Sequence, residues 1–381
     1  MVESGGQGQR TYGQWWGSTE EQVTVALDAV RQVSLAGLQS VGATAEDAAF
    51  LLDIALDKAL QGDPVRGMVR VPGWVNAARR GDLDLRPHVR VLRETSATAT
   101  VDGGPKAEHA LVCRHAIDLA IEKARLHGVG WVSARAHGEI LTPFIKRAVA
   151  QDMVVMVMTQ SFPSVAPIGG MGPFLGNAPV GFGIPATGHA PVILDMSVTQ
   201  TSATPVANAA RQGQEIPPDS ILDERGEPTT DSREFIRPDW TGPASYVPRG
   251  SLLPLGGARS GHKGYALVFV VGLLSYLLSD TSPPWDLARD LEQPGRYGTL
   301  FLVIDPSTAL PVEEFKSGVD EYIYRVKSSP KKPGVADILY PGERSQQLQR
   351  EWRERNQVSM PASHYHALVE LAGEIGMDGV L

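Results

Sequence analysis

The chain has 381 residues, of which 42% are hydrophobic and 20% charged, a composition typical of a globular protein with room for more than one domain. The formal net charge of -8 argues against a basic nucleic-acid-binding surface. The single cysteine, Cys113, excludes an intrachain disulfide and a cysteine-based zinc cluster.

The apolar stretches and the N-terminus indicate the cellular location of the protein. The longest apolar stretch, residues 264–278, is shorter than the ~20 residues of a membrane-spanning helix, and we interpret it as a helix buried on all sides. Residues 1–16 lack the basic start and apolar run of a secretory signal. We therefore expect a cytoplasmic protein that binds neither membrane nor nucleic acid.

Hydrophobic periodicity predicts helices and strands that mix without strict alternation. The predicted helices cover residues 23–33, 45–61, 109–126, 139–151, 264–278 and 312–327, followed by a terminal helical segment. The predicted strands cover residues 89–101, 129–133, 153–158, 191–196 and 300–304. This mixture leaves α/β and α+β open as the fold class.

One predicted loop carries two arginines. Thr44 followed by Asp47 predicts a capped helix start, and Gly62 fits the end of that helix. The next residues include Arg66 and Arg70, and two guanidinium groups this close repel each other unless an anion joins them. The loop is either a docking site for a carboxylate or a solvated connection.

His137 is a candidate acid–base residue. It follows a predicted strand and precedes a predicted helix in the segment SARAHGEIL, so its ring can face a cleft near a positive helix end. An ordinary histidine pKa near 6.5 suits proton transfer. The competing interpretation is a histidine that only caps the helix.

Three other residues could contact a nucleotide. Asp195 ends a predicted strand, where a carboxylate can accept ribose hydroxyls or cap a helix. Ser161 opens a turn rich in glycine, and Lys263 opens the long apolar helix, where a cation opposes the helix dipole and invites an anionic ligand. No G-x-G-x-x-G motif follows a strand, so a Rossmann fingerprint is absent. A strand-end cap, a tight turn and a solvated lysine remain the structural alternatives.

In order along the chain, eight segments resemble the malate/L-lactate dehydrogenase family whose members lack a Rossmann fold. They are VGATAEDA, VSARAHGEI, QSFPSVAPIGG, LGNAPVGFGIP, VILDMSVT, DERGEPTTD, LLPLGGARSGHKGYAL and YPGER. The resemblance implies a large, mostly antiparallel sheet, NADH or NADPH as cofactor, and a homodimer. We expect a helical N-terminal domain over residues 19–90, joined by C-terminal helices at 340–381, with the sheet and dinucleotide-binding domain over 91–339.

The resemblance also implies residue roles. His137 matches a histidine that handles the substrate proton, and Arg70 matches an arginine that binds the substrate carboxylate. The residues that match cofactor-contacting segments are Ser161, Asp195, Met196, Ser197, Lys263, Gly264, Gly342 and Glu343. No metal ligand is implied.

The chain departs from the family where Val65-Arg66 replaces the usual Ser-His. A guanidinium with a pKa above ~12 cannot replace a proton-donating histidine, but it can hold an anionic group. We therefore expect a reductase or dehydrogenase for a 2-oxo, 2-hydroxy or cyclic 2-imino acid with an altered pocket. The alternatives are a repurposed homologue that performs a non-redox elimination, isomerisation or cyclisation, and a binding protein without catalysis.

Overall fold

A computed structural model describes residues 20–61, 67–236, 248–287 and 296–381. Within these ranges the strands are β1 (Gln22–Ala26), β2 (Arg90–Glu94), β3 (Thr98–Asp102), β4 (Val129–Ala134), β5 (Val154–Thr159), β6 (Val180–Ile184), β7 (Val192–Met196), β8 (Ile221–Leu222), β9 (Pro228–Thr229), β10 (Ser251–Leu252), β11 (Thr299–Ile304) and β12 (Gln357–Pro361).

The helices in the same ranges are α1 (Leu27–Ser40), α2 (Ala45–Ala59), α3 (Arg70–Arg79), α4 (His109–His127), α5 (Thr142–Val149), α6 (Ala203–Arg211), α7 (Gly257–Leu277), α8 (Val312–Lys327), α9 (Glu343–Glu354) and α10 (Ala362–Glu374). Short 3-10 turns lie at Ser232–Phe235, Pro284–Asp286 and Pro306–Thr308.

A seven-stranded sheet forms the centre of the structure, in the order β2-β3-β4-β11-β5-β6-β7. The β3–β4 pair is parallel, and every other neighbouring pair in this sheet is antiparallel. This confirms a mixed α/β fold with a largely antiparallel sheet. Strand β11 pairs on both sides, so its first residue, Thr299, lies opposite both Ala134 and Thr159.

Local sequence signals set the ends of the helices beside this sheet. The Thr44 hydroxyl accepts a hydrogen bond from the backbone N–H of Asp47 at 3.1 Å and donates to its carboxylate at 2.6 Å, which satisfies a donor at the start of α2. Gly128 ends α4 with φ 81°, a left-handed conformation that favours glycine. The predicted helix start after Thr44 is confirmed, and the predicted helix end at Gly62 lies outside the described residues.

The main core joins the helical layer to the sheet through Phe144. This buried side chain of α5 lies 5.7 Å from the ring of Phe50 on α2 and 5.6 Å from the ring of Phe301 on β11. Such aromatic contacts stabilise beyond the apolar area they bury. The helix that follows His137 is thereby packed rigidly between both layers.

The two ends of the described chain meet. Strand β1 pairs antiparallel with β12, and Gly37 of α1 lies so close to Leu371 of α10 that a Cβ would come within 2.9 Å of the leucine side chain. The C-terminal segment therefore packs on the N-terminal helices. The domain boundaries given above stay a prediction.

Several predicted elements differ in the structure. Residues 23–26 belong to β1 rather than to a helix, because they pair with β12, a partner more than 300 residues away. The predicted strand 89–101 is a hairpin of two strands. The unbroken apolar run at residues 153–158 suggests a strand buried on both faces, but β5 alternates buried and partly buried residues.

The prediction of an apolar helix buried on all sides is wrong for this chain. Helix α7 begins at Gly257, and its buried residues form a narrow stripe of mostly small side chains, at positions 257, 261, 264, 268, 271 and 275. Its other face exposes large apolar side chains to solvent. Across the described residues, none of the helices is both long and apolar enough to span a bilayer.

Gly130 provides a test of the contact between α4 and the sheet. A Cβ at Gly130 would lie 2.0 Å from the backbone oxygen of Ala120. We expect Gly130→Ala to lower the free energy of unfolding by about 1–3 kcal/mol, as overpacked cores do. Gly318→Ala is the matched control, because nothing lies within 4 Å of its Cβ, and it should stabilise α8 by about 0.5–1 kcal/mol. Equilibrium urea unfolding measures both, and a Gly130→Ala protein as stable as wild type would contradict this packing.

Candidate functional site

The segment that carries His137 is fastened to the central strand by Thr299. The Thr299 hydroxyl donates to the carbonyl of Ala136 at 2.7 Å and accepts from the backbone N–H of Gly138 at 2.9 Å. The buried Thr159 hydroxyl lies 2.8 Å away and donates to it. One donor and two acceptor positions are the full capacity of a hydroxyl, so the backbone on both sides of His137 is held in place.

His137 lines a cleft of about 300 Å³, called here the His137 cleft. Among the lining residues are one arginine, two glutamates and two histidines, namely Arg70, Glu108, Glu139, His109 and His137. The apolar part of the lining includes Trp74, Ile140 and Phe144. The cleft thus combines ionisable groups with apolar surface, as ligand sites commonly do.

Arg70 begins α3 and reaches Glu139 in the segment after His137. Its Nη2 lies 2.6 Å from Oε1 of Glu139. The Glu139 side chain is 47% exposed and that of Arg70 20% exposed. A charge-assisted pair with one half-exposed partner can exchange that partner for another carboxylate.

Burial shifts the pKa values of the ionisable groups in the cleft. Burial raises the pKa of Glu108 to about 7, against the opposing effects of its hydrogen bond from Ala110 and of the Arg70 charge. Burial and, to a smaller extent, the nearby His137 lower the pKa of His109 to about 4. For His137, burial is again the main cause of a lowered pKa, opposed by the Glu139 carboxylate. Both histidines are therefore mainly neutral at pH 7.

The Tyr297 ring contacts the rings of both His137 and His109. Its ring is stacked on that of His137 with centroids 4.7 Å apart and meets the ring of His109 edge-on at 6.0 Å. Burial, followed by the Glu139 charge, raises the Tyr297 pKa, so the phenol stays protonated. The three rings form one aromatic cluster, with one stacked and one edge-on contact.

A second cleft, called here the Asp195 cleft, has a volume of about 230 Å³ and includes Lys58, Lys146 and Gly342. Oδ2 of Asp195 accepts from the backbone N–H groups of Leu141 and Thr142, both at 3.1 Å. Asp195 thus caps α5, a helix that precedes it in the chain. Since Ile140 lines the first cleft and Thr142 the second, the segment between His137 and α5 separates the two.

Gly342 sets the approach of α9 to the sheet. It has φ 87° and no side-chain cap, and a Cβ there would lie 2.7 Å from the carbonyl oxygen of Ile193. Only glycine fits both the conformation and the close contact. The positive end of α9 consequently faces the same cleft as Asp195.

Ser161 and Ser197 lie around Asn177. The Ser161 hydroxyl accepts from the Asn177 N–H at 2.9 Å and donates to its side-chain oxygen at 2.5 Å, while the carbonyl of Asn177 accepts from the backbone of Val198 at 3.0 Å. The Ser197 hydroxyl accepts from Thr199. These hydroxyls are engaged in shaping turns.

Two further predicted residues, Gly264 and Met196, contribute to the packing around Val198. A Cβ at Gly264 would lie 2.3 Å from the carbonyl of Leu255, and Leu255 N–H donates to Val198. Met196 pairs with Val180 in the sheet. The glycine allows α7 to pack directly on this loop.

Other predicted site residues lie outside the two clefts. Glu343 binds Lys327 through both carboxylate oxygens at 2.7 and 2.9 Å, a contact that fastens α9 to the end of α8. Lys263 is exposed in the second turn of α7, so the expectation that it opens the helix against the dipole is wrong. Arg66 lies outside the described residues.

Sequence reasoning missed Glu108, His109, Glu139 and Tyr297. His109 begins a predicted helix, a position without a local signal for a cleft. The described residues contain no group of three His, Cys, Asp or Glu side chains placed to hold a metal ion. A glutamate directly before a predicted helix start was the one local signal for Glu108. The position of Tyr297 has no local signal, because it is 160 residues from His137.

The sequence model of malate/L-lactate dehydrogenases matches residues 25–369. The chain is 33% identical over 337 residues to the L-sulfolactate dehydrogenase of Methanothermobacter thermautotrophicus, covering 86% of this chain and 87% of that protein. It is 28% identical to the Delta(1)-pyrroline-2-carboxylate/Delta(1)-piperideine-2-carboxylate reductase of Pseudomonas putida, over 93% of this chain and 99% of the reductase. The solved malate dehydrogenase of Pyrococcus horikoshii superposes with a TM-score of 0.81 at 27% identity, over 96% of this chain and 99% of that chain.

The Thr299 hydroxyl can be tested by an isosteric change. In Thr299→Val, the Ala136 carbonyl and the Gly138 N–H lose a buried partner, which should cost about 1–3 kcal/mol of unfolding free energy. Thr299→Ser keeps the hydroxyl and is the control, expected to lose less. Urea unfolding compares them, and a valine variant at least as stable as the serine variant would refute the assigned hydrogen bonds.

Proposed function

Because the chain belongs to the malate/L-lactate dehydrogenase family, we propose that it is a nicotinamide-dependent oxidoreductase for small 2-substituted carboxylic acids. It reduces a 2-oxo acid or a cyclic 2-imino acid, or oxidises a 2-hydroxy acid. The observation that carries the proposal is the presence of Arg70 and His137 in one cleft, within a chain whose relatives are named dehydrogenases and reductases.

Arg70 binds the substrate carboxylate. A guanidinium can hold a carboxylate through two parallel N–H donors, and the exposed Glu139 yields this position when substrate enters. The pair of Arg70 and Glu139 also keeps the guanidinium charge compensated while the cleft contains no substrate. A carboxylate-containing substrate therefore exchanges one ion pair for another instead of burying a lone charge.

His137 positions the reacting group. Its ring is neutral at pH 7, stacked on Tyr297 and held from both sides by Thr299. A neutral imidazole has one donor and one acceptor nitrogen, so it can hydrogen-bond a carbonyl oxygen, a hydroxyl or a ring nitrogen. Held this rigidly, it orients that atom at little entropic cost.

The Asp195 cleft is suited to part of a dinucleotide. Dehydrogenases of this family use nicotinamide cofactors, and a bound nicotinamide supplies or accepts the hydride. The start of α9 at Gly342, which has no side-chain cap, favours an anionic group. The amines of Lys58 and Lys146 line the same cleft, where they pair with Asp195 and Asp57. Asp195 uses Oδ2 to cap α5 and to pair with Lys58, and its Oδ1 is the proposed acceptor for a ribose hydroxyl.

The remaining predicted cofactor residues support this site indirectly in the proposal. Ser161 and Ser197 shape the turns beside it, and Gly264 lets α7 approach them. Met196 continues the strand of Asp195, and Glu343 anchors α9 through Lys327. Lys263 is exposed and can meet the cofactor only from the surface.

The outward face of α7 fits a second copy of the chain. Six large apolar side chains on and next to this helix are between 42% and 54% exposed. They are Leu267, Phe269, Val270, Leu273, Leu277 and Leu278. A continuous apolar strip of this kind is typical of an interface rather than of a free surface. The family resemblance implies a homodimer, and α7 is the interface in this proposal.

Reduction of a substrate panel tests the activity. The wild-type chain should oxidise NADH or NADPH in the presence of a 2-oxo acid or a cyclic 2-imino acid, measured as loss of nicotinamide absorbance. Arg70→Lys should raise KM by about tenfold or more, because an ammonium cannot replace the bidentate contact. Glu139→Gln should lower KM, since it removes the competing carboxylate.

No turnover with any member of the panel, together with no calorimetric binding of either cofactor, would refute the proposed activity. It would favour the repurposed, non-redox homologue. Turnover with an unchanged KM in both variants would instead refute only the role of Arg70.

The dimer proposal predicts that Leu273→Glu yields a monomer. A carboxylate in the middle of the apolar strip would be buried without a partner on association. Leu126→Glu is the control, because Leu126 is 69% exposed on a different helix and should leave the mass unchanged. Sedimentation equilibrium distinguishes them, and a monomeric wild type or a dimeric Leu273→Glu protein would overturn the proposal.

A further inference from the structure

Neither the sequence motifs nor the family resemblance assigns a role to Glu108, a residue of the His137 cleft. It directly precedes α4, and its carboxylate accepts a long hydrogen bond of 3.3 Å from the Ala110 N–H. Its backbone is fixed on both sides, by Glu108 N–H to the Asp84 carbonyl at 2.9 Å and by Leu111 N–H to the Glu108 carbonyl at 3.0 Å. The Trp74 indole also donates to its side chain.

Glu108 lines the same cleft as Arg70 and His137. It is half-buried, and its side chain accepts from the Ala110 N–H and the Trp74 indole, which is about half of the hydrogen bonds that a carboxylate can accept. A rigid backbone with a partly satisfied carboxyl that faces a binding cleft is the arrangement a proton-transfer group needs.

The other ionisable groups that face this position are poorly suited to deliver a proton. Arg70 stays charged at all relevant pH values, and Glu139 is paired with it at 2.6 Å. His109 and His137 are disfavoured as imidazolium by burial. Tyr297 holds its proton more tightly than a free phenol. The cleft is completed by Asp82 and by Lys106, whose amine donates to the Gly81 carbonyl at 2.7 Å.

We propose that Glu108 is a catalytic acid–base residue of the His137 cleft, which gives its carboxyl proton to the heteroatom of the substrate during reduction and takes it back during oxidation. This inference rests on the proposed function.

The proton balance of the step is simple. As the substrate carbon gains a hydride, the π electron pair of C=O or C=N moves to the heteroatom. The O–H bond of Glu108 breaks, a heteroatom–H bond forms, and Glu108 remains as a carboxylate. A solvent proton restores the acid through the open cleft. The pKa of about 7 fits this cycle, because a group that titrates near the working pH can both give and accept a proton.

Glu108→Gln tests the role while keeping an oxygen that can accept from Ala110. In wild type, kcat/KM for reduction of a 2-oxo acid should fall as the pH rises through about 7, because the protonated acid is lost. In Glu108→Gln this limb should disappear and kcat should fall by roughly 10²–10⁴-fold, with little change in KM. Glu108→Asp should recover part of the rate. The control is Glu122→Gln, which removes an exposed carboxylate from the same helix and should behave as wild type.

A second measurement does not depend on turnover. Infrared difference spectra of the free protein, recorded through a pH titration, should show a protonated carboxyl group that ionises near neutral pH and is missing in Glu108→Gln. A wild type that turns over its substrate while Glu108→Gln keeps the same pH profile, within about twofold in kcat, would overturn the role of Glu108 alone. A titration without such a carboxyl group would also overturn it. A wild type inactive with every acid and both cofactors would instead show that the proposed function is wrong.

Discussion

The hydroxyl of Thr299 is the interaction on which the geometry of the His137 cleft depends. It satisfies the carbonyl of Ala136 and the N–H of Gly138 at once, and the Thr159 hydroxyl fills its remaining acceptor position. Because β11 lies at the middle of the sheet between β4 and β5, this one side chain fastens the irregular segment around His137 to the central strand. Breaking it would leave two buried backbone groups unpaired.

Burial sets the chemistry of the cleft. Burial favours the neutral forms of Glu108 and His109, whereas Arg70 and the half-exposed Glu139 keep their charges by pairing with each other. The cleft therefore holds a charged pair that can bind a carboxylate and, in Glu108, a neutral carboxyl group that can give up a proton. Pairing favours the charged state and burial favours the neutral state, so one cleft contains both.

Glycines allow α7 and α9 to pack closely on neighbouring backbone. Glycines at 264 and 342 bring these helices into van der Waals contact with backbone carbonyls of Leu255 and Ile193. The close approach at Gly342 brings the positive end of α9 to the Asp195 cleft. The close approach at Gly264 leaves the large side chains of α7 directed outward, which is why an apolar helix without charged residues over 264–278 is not buried within the chain.

The sequence by itself determined features that rest on neighbouring residues: the Thr44 cap, the Gly128 stop, the position of His137 between a strand and a helix, and the family with its largely antiparallel sheet. Tertiary structure decided what distant segments do to each other. Residues 23–26 are a strand because β12 pairs with them, and Asp195 caps a helix more than 50 residues earlier. The grouping of Glu108, His109 and Tyr297 around His137 depends on burial and on ring contacts across the fold. Local propensity contains no information about such contacts, because their energy comes from groups that only folding brings together.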